Sequence, residues 1–186
     1  MMLAMFRVVA GDVLAASADA ILLPIDGTFV PAAGRFDRLL GTVGSAFLRR
    51  YPEADLLQEI EAQVDFPLPL GGAAAVELSD AAFRSAVLVS TLHHHAVLSD
   101  SQKRDVIRSA LTAALVLARA AAARRVATPL LQGGWRLAPD VALREMFDTH
   151  TTARSGVDLD VYCLDPIVAA RLQREMDDLA RREGSK

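Results

Sequence analysis

Short apolar runs alternate with longer amphipathic segments along most of this sequence. Runs rich in Val, Ile and Leu predict strands, which we place at residues 6–9, 20–24, 73–78, 86–91, 125–129 and 159–164. Several of these runs are apolar at consecutive positions, which is typical of strands covered by helices on both faces. The pattern therefore predicts a three-layer α/β sandwich.

Apolar residues at three- and four-residue intervals predict helices between the strands, most clearly over residues 101–123. Ser99 with Gln102 fits a capping box at its start, although Asp100 or Ser101 could serve as the cap instead. Weaker helices are expected over residues 36–48, 54–61 and 141–150.

A last helix should begin after the final strand, where Asp165 is the expected cap and Pro166 occupies the first turn. No linker or repeat interrupts the series of elements. We expect one domain over residues 1–186, with a frayed tail over 181–186.

Composition limits the kinds of partner. The chain has 186 residues, 52% of them hydrophobic, which is enough for one core. A net charge of −3 gives no general attraction for nucleic acid, so an anionic ligand must be held by a local site. The oligomeric state is left open.

The compartment follows from the single cysteine and the apolar N-terminus. Cys163 has no partner for an intrachain disulfide, which favours a reducing compartment. Arg7 interrupts the apolar N-terminus, and no uncharged run approaches the roughly 18 residues of a membrane span. We therefore expect a soluble, cytoplasmic protein that has no signal peptide and no membrane partner.

Two segments could carry binding chemistry. The first strand ends at Gly11, and Asp12 then presents a carboxylate that could accept a proton of an adenine amine, or could simply cap its own turn. The fifth predicted strand runs into Gly133 and Gly134, whose amides could turn toward a phosphate, with Arg136 adding a charge. Adjacent glycines are also an ordinary turn signal.

These segments together resemble the macro domain family. The family's opening strand leads into a Gly-Asp-aliphatic turn and an Asp-Ala-Ile-Val strand, as residues 11–13 and 19–22 do here. Later, a long helix precedes an Ala-x-Pro strand and a glycine-containing phosphate loop closed by a proline, which residues 127–139 match. The resemblance covers nearly the whole chain and implies an α/β/α sandwich around a mixed central sheet.

The resemblance also implies binding of ADP-ribose or a related nucleotide diphosphate, with no cofactor. Asp12 would bind the adenine amine beside the Val13 amide, and the diphosphate would lie between the loops 31–36 and 132–136. The ligand-binding residues implied are Asp12, Val13, Gly34, Gly133, Gly134, Trp135 and Arg136. Trp135 could stack on the ligand, or could be a partly buried lid over the core.

The sequence also departs from the family pattern. Asp26 stands where the family has the asparagine that contacts the distal ribose, and of the first loop's glycines only Gly34 is retained. Leu137 replaces a frequent glycine, and Leu164 replaces the aromatic residue that commonly stacks on adenine. Asp26 is therefore the one candidate catalytic residue.

Three functions stay open. The first is nucleotide binding, and the second is hydrolysis of ADP-ribose from a protein or of its acetyl ester, with Asp26 positioning a water. The third is a scaffold with a filled pocket that binds a protein, and an ADP-ribosylated protein is a further candidate partner. Bulky residues such as Trp135 or Leu137 in the crevice would favour the scaffold.

Two other clusters are weaker candidates. His93 and His95 would share a strand face, but no nearby Cys, Asp or Glu completes a zinc site, so we predict no metal. Asp26 with Asp37 could form a carboxylate pair for acid/base work, but carboxylates on the surface or in loops are the more common case.

Overall fold

Six strands form one sheet in the computed structural model, which describes residues 4–30, 36–79, 81–92, 97–132 and 137–183. They are β1 (Phe6–Ala10), β2 (Ala20–Ile25), β3 (Ala73–Glu77), β4 (Ser85–Ser90), β5 (Arg125–Pro129) and β6 (Asp158–Cys163). Their spatial order is β1-β6-β5-β2-β4-β3, and only β3 runs antiparallel to its neighbour. The prediction of a mixed sheet is confirmed.

Helices cover both faces of this sheet. They are α1 (Thr42–Arg50), α2 (Leu56–Gln63), α3 (Asp100–Ala120), α4 (Pro139–Ala153) and α5 (Pro166–Glu183). One core cluster joins the sheet to α3, α4 and α5, and the other joins it to α1 and α2. The α/β/α sandwich is therefore confirmed, and its two apolar cores explain why strand residues are buried at consecutive positions.

The predicted helix starts of α3 and α5 are correct. The Ser99 hydroxyl accepts from the Gln102 amide at 3.3 Å, and the Gln102 side chain accepts from the Ser99 amide at 2.9 Å. At α5, the Asp165 carboxylate accepts from the Ile167 amide at 2.8 Å. These side chains satisfy amides that have no partner within the helix.

The helix expected over residues 36–48 is interrupted. A 3₁₀ turn covers Phe36–Leu39, and α1 begins only at Thr42. Between them, Leu40 bridges to Ile25, and the Gly41 amide donates to the Pro24 carbonyl at 3.4 Å. The backbone here bonds to the end of β2, so it cannot continue a helix.

Other helix ends differ by a few residues. α2 begins at Leu56, after a 3₁₀ turn and a left-handed Asp55 with φ 42°. α5 continues to Glu183, so residues 181–183 belong to the helix, whereas they were expected to fray. No helix in the described ranges is long and apolar enough to cross a membrane.

Strand β2 keeps its hydrogen bonds to only one of its two neighbours toward the carboxyl edge of the sheet. β2 pairs with β4 along its full length but with β5 only through Ala20 and Ile21. Pro24 has no amide proton to offer a neighbouring strand and lies beyond this paired stretch. β2 and β5 are therefore not hydrogen-bonded to each other near their carboxyl ends, where a ligand crevice is expected in α/β sheets.

Candidate functional site

A cleft of about 380 Å³ lies at the carboxyl ends of β1, β5 and β6. Its walls are the turn after β1, the ends of β5 and β6, and the first half of α1. The described residues lining it are Gly11, Asp12, Val13, Leu14, Thr42, Val43, Ala46, Pro129, Leu130, Gln132, Pro139, Tyr162, Cys163, Leu164, Asp165 and Val168. The lining is mainly apolar with few polar groups, as in most small-molecule sites.

A larger cavity, of about 640 Å³, lies between α3, α4 and α5. Its lining includes Asp140, Glu145, Asp148 and Glu175, and none of the site residues predicted from sequence that the structure describes. All of its lining residues belong to these helices, and none belongs to a strand end or to the loop that follows it, so we regard the smaller cleft as the candidate site.

The turn after β1 places a carboxylate at the cleft. Gly11 has φ 147°, a conformation that favours glycine, and its amide donates to the Cys163 carbonyl at 2.9 Å. Asp12 follows, and its Oδ1 accepts from the Leu14 amide at 2.9 Å, which caps the 3₁₀ turn Val13–Ala15. Asp12 therefore both caps this turn and lines the cleft.

The other oxygen of this carboxylate has a charged partner. Asp12 Oδ2 accepts from Arg50 Nη1 at 3.2 Å, and the Asp12 side chain is 43% exposed. The turn beneath it is firmly held, because Val13 and Leu14 are buried and the Tyr51 hydroxyl donates to the Leu14 carbonyl at 2.6 Å. Asp12 thus presents a fixed, accessible carboxylate to the cleft, which is also lined by Asp165, the cap of α5.

The second glycine loop is described only at its two ends. Gly133, Gly134, Trp135 and Arg136 lie outside the described residues, as does Gly34 of the first loop. Gln132 and Leu137 close the base of the second loop. The Gln132 side-chain amide donates to the Leu137 carbonyl at 2.9 Å, and the Leu137 amide donates to the Gln132 carbonyl at 3.4 Å. The loop therefore starts at the cleft, since Gln132 lines it.

Two leucines that replace family residues lie in different environments. Leu137 is 2% exposed, packs in the core beneath α3 and α4, and is absent from the described lining of the cleft. Leu164 lines the cleft and is 79% exposed. Leu137 therefore does not fill the crevice, and Leu164 lies free at its edge.

Cys163 is buried beside Leu164 at the cleft. Burial raises the pKa of its thiol, and the negative charge of Asp165 raises it further. The thiol form is favoured, so Cys163 acts as a small apolar side chain of the lining.

Asp26 lies at the same edge of the sheet, immediately after β2. It lies in the loop after this strand and is only 6% exposed, so it is a loop carboxylate that is buried. Its Oδ1 accepts from the Thr28 hydroxyl at 2.7 Å, and its amide donates to the Leu39 carbonyl at 2.8 Å. Asp26 is absent from the described lining of the cleft, and the side chain of Asp37, like His93 and His95, falls outside the description.

Sequence reasoning missed Arg50, and it included Gln132 in the second loop without giving its side chain a role. Arg50 follows Val43 and Ala46 at helical spacing, so a helix with the correct register would have placed it on the face that fronts the cleft. Gln132 directly precedes the paired glycines, but nothing in the sequence indicates that its side chain bonds across the loop.

No family model and no curated protein matches the sequence. Among solved structures, the macrodomain of Oceanobacillus iheyensis matches with a TM-score of 0.71 and 13% identity, over 94% of this chain and 92% of that one. A Trypanosoma brucei macrodomain in complex with ADP-ribose matches with a TM-score of 0.70 and 15% identity, over 92% and 69%.

A further match is to a longer chain. An alphavirus protein is similar over 98% of this chain, with a TM-score of 0.65 and 16% identity, but this chain spans only 24% of its length. At such identities the likeness concerns the arrangement of the backbone. The element order, the mixed sheet and these matches together show that the chain has the macrodomain fold.

Proposed function

We propose that the cleft binds ADP-ribose or a related nucleotide diphosphate. The observation that supports this most directly is the position of Asp12, a fixed and accessible carboxylate in an otherwise mainly apolar cleft at the carboxyl edge of the sheet. An adenine amine would donate to this carboxylate, while its ring faces would contact apolar side chains such as Val13 and Leu164. The similar Trypanosoma brucei structure contains ADP-ribose.

The size of the cleft and its approach also fit a nucleotide. A volume of about 380 Å³ lies in the range of about 300–1,000 Å³ that is usual for small-molecule sites. The diphosphate would lie beyond the base, between the loop that holds Gly34 and the loop that holds Gly133, Gly134, Trp135 and Arg136. Backbone amides and the Arg136 guanidinium would supply its hydrogen bonds.

Titration calorimetry with ADP-ribose tests this proposal. Asp12→Ala should weaken binding about tenfold or more, because a hydrogen bond to a charged acceptor is lost. Asp12→Asn keeps a side-chain oxygen that can cap the turn but removes the negative charge. Comparing it with Asp12→Ala therefore separates the effect of the lost charge from the effect of a lost cap. Asp105→Ala, at an exposed carboxylate on α3, should bind like the wild type. The proposal would be overturned if neither ADP-ribose nor a related nucleotide produced heat at millimolar concentration.

Hydrolysis is a second candidate, and the burial of Asp26 at the same edge of the sheet favours it. In this proposal, the Asp26 carboxylate, held by the Thr28 hydroxyl, would orient a water at the distal ribose. The expected result is release of ADP-ribose from a modified protein, and its loss in Asp26→Asn. Undiminished release by that variant would remove Asp26 from the mechanism, whereas no release by the wild type would leave binding as the proposed function.

The scaffold alternative receives less support. Leu137, which could have filled the crevice, lies in the core, and the described walls leave an open cleft. The oligomeric state and any protein partner, including an ADP-ribosylated one, are separate questions.

A further inference from the structure

Arg50 lies at the rim of the cleft beside the Asp12 carboxylate. Val43 and Ala46, which line the cleft, precede it by seven and four residues, so the three side chains share one face of α1. The Arg50 guanidinium donates to Asp12 Oδ2 at 3.2 Å and is 45% exposed. Its central carbon is 5.9 Å from the centre of the Tyr51 ring, a distance at which the ring stabilises a cation.

This arrangement sets a hydrogen-bond donor directly beside an acceptor. The Oδ1 atom of Asp12 is engaged by the Leu14 amide, so Oδ2 is the oxygen shared with Arg50. Both charged side chains are nearly half exposed, and a ligand can therefore reach them. A base edge that carries a donor next to an acceptor would complement the pair.

We propose that Arg50 is a base-specificity residue, and that with Asp12 it lets the cleft take both 6-amino and 6-oxo purines. The inference rests on the proposed function, because it concerns the base of the same nucleotide. Adenine carries an amine donor at position 6, beside ring-nitrogen acceptors. Hypoxanthine carries an oxygen acceptor at position 6, beside the N1–H donor.

The two bases would use the pair differently. With adenine, Asp12 accepts from the amine and Arg50 donates to the neighbouring ring nitrogen. In hypoxanthine the acceptor and the donor stand in the opposite order along this edge, so the base would turn over in the cleft, and Arg50 would then donate to the oxygen at position 6 while Asp12 accepts from N1–H. A carboxylate alone would face the lone pairs of that oxygen, and such a mismatch of polar groups is strongly rejected in binding sites. Arg50 removes the mismatch.

The test compares ADP-ribose with its hypoxanthine analogue by titration calorimetry. For the wild type, we expect the two dissociation constants to agree within about tenfold. Arg50→Ala should weaken the hypoxanthine analogue at least about tenfold more than ADP-ribose, since the carboxylate then stands alone. Arg50→Lys keeps a cationic donor and should restore part of the affinity for the analogue.

Arg49→Ala is the matched control, because Arg49 is an exposed arginine of the same helix. It should leave the ratio of the two constants unchanged, and thermal unfolding of each variant checks the fold. Rejection of the analogue by the wild type by about a hundredfold or more would overturn the inference. An equal loss for both ligands in Arg50→Ala would also overturn it. If neither ligand binds the wild type, the proposed function itself fails, which is a different result.

Discussion

Leu164→Phe should tighten the binding of a purine nucleotide. Leu164 lines the cleft beside Cys163, and 79% of it is exposed, so a larger side chain at this position meets little packing resistance. An aromatic ring stacked on another gains about 0.5–1.5 kcal/mol beyond the area it buries. This range corresponds to a dissociation constant lower by about two- to tenfold.

The control for this prediction is Ile167→Phe. Ile167 is 80% exposed, lies three residues further along the chain, and is absent from the described lining of the cleft. The change adds a ring of the same size without placing it in the cleft, so its dissociation constant for ADP-ribose should equal that of the wild type. Titration calorimetry on the three proteins decides the matter. Equal constants for wild type and Leu164→Phe would refute the placement of the base beside this residue.

Two further predictions concern the loop base and the opposite end of the sheet. Gln132→Ala removes the hydrogen bond to the Leu137 carbonyl that closes the loop base. A loss of about 1 kcal/mol in the free energy of binding should weaken ADP-ribose binding about fivefold in calorimetry. Unchanged affinity would contradict a role for the loop base. Partial burial acts to raise the pKa of Asp19, but hydrogen bonds from Arg84 and from the Arg124 and Arg125 amides outweigh it, so this pKa lies below its ordinary value of 3.8. The stabilisation is therefore present above pH 3.8 and is lost as the pH falls through the lower, folded-state pKa. Asp19→Asn should lower the free energy of unfolding at pH 7 but much less near pH 2, whereas Asp105→Asn should change it little at either pH; equal losses for Asp19→Asn at both pH values would contradict the argument.

The strands could be predicted because a strand that is buried on both faces has apolar residues at consecutive positions. Residues 125–129 match β5 without error, and the other predicted runs differ from the observed strands by one residue at one or both ends. The break at Gly41 could not be predicted, because it depends on hydrogen bonds to β2, which is far away in sequence. A Cβ at Gly41 would also approach Leu92 Cδ1 to 2.8 Å, a contact that only the folded chain reveals.

Part of the candidate site could also be predicted from local sequence, because it lies directly after a predicted strand. Asp12 follows a strand, so its place at the carboxyl edge could be read from local sequence. The pairing of Asp12 with Arg50 joins residues 38 positions apart and depends on how α1 packs against the sheet. The burial of Asp26 likewise depends on Leu39, whose carbonyl accepts from the Asp26 amide.

The two interpretations of Asp12, a cap for its own turn and a ligand for a base, support each other in the folded protein. The Leu14 amide fixes Oδ1, so the carboxylate loses little side-chain freedom when a ligand arrives. Because Oδ2 already accepts from Arg50, a base must either share that hydrogen bond or displace it. The free-energy cost of displacing it depends on whether the base offers an acceptor to Arg50 in return. A purine with an acceptor beside its donor satisfies both side chains, whereas a ligand with a donor alone leaves the guanidinium short of a partner. In the proposed complex, the capping bond would hold Asp12 in place, and Arg50 would then favour a base with adjacent donor and acceptor groups.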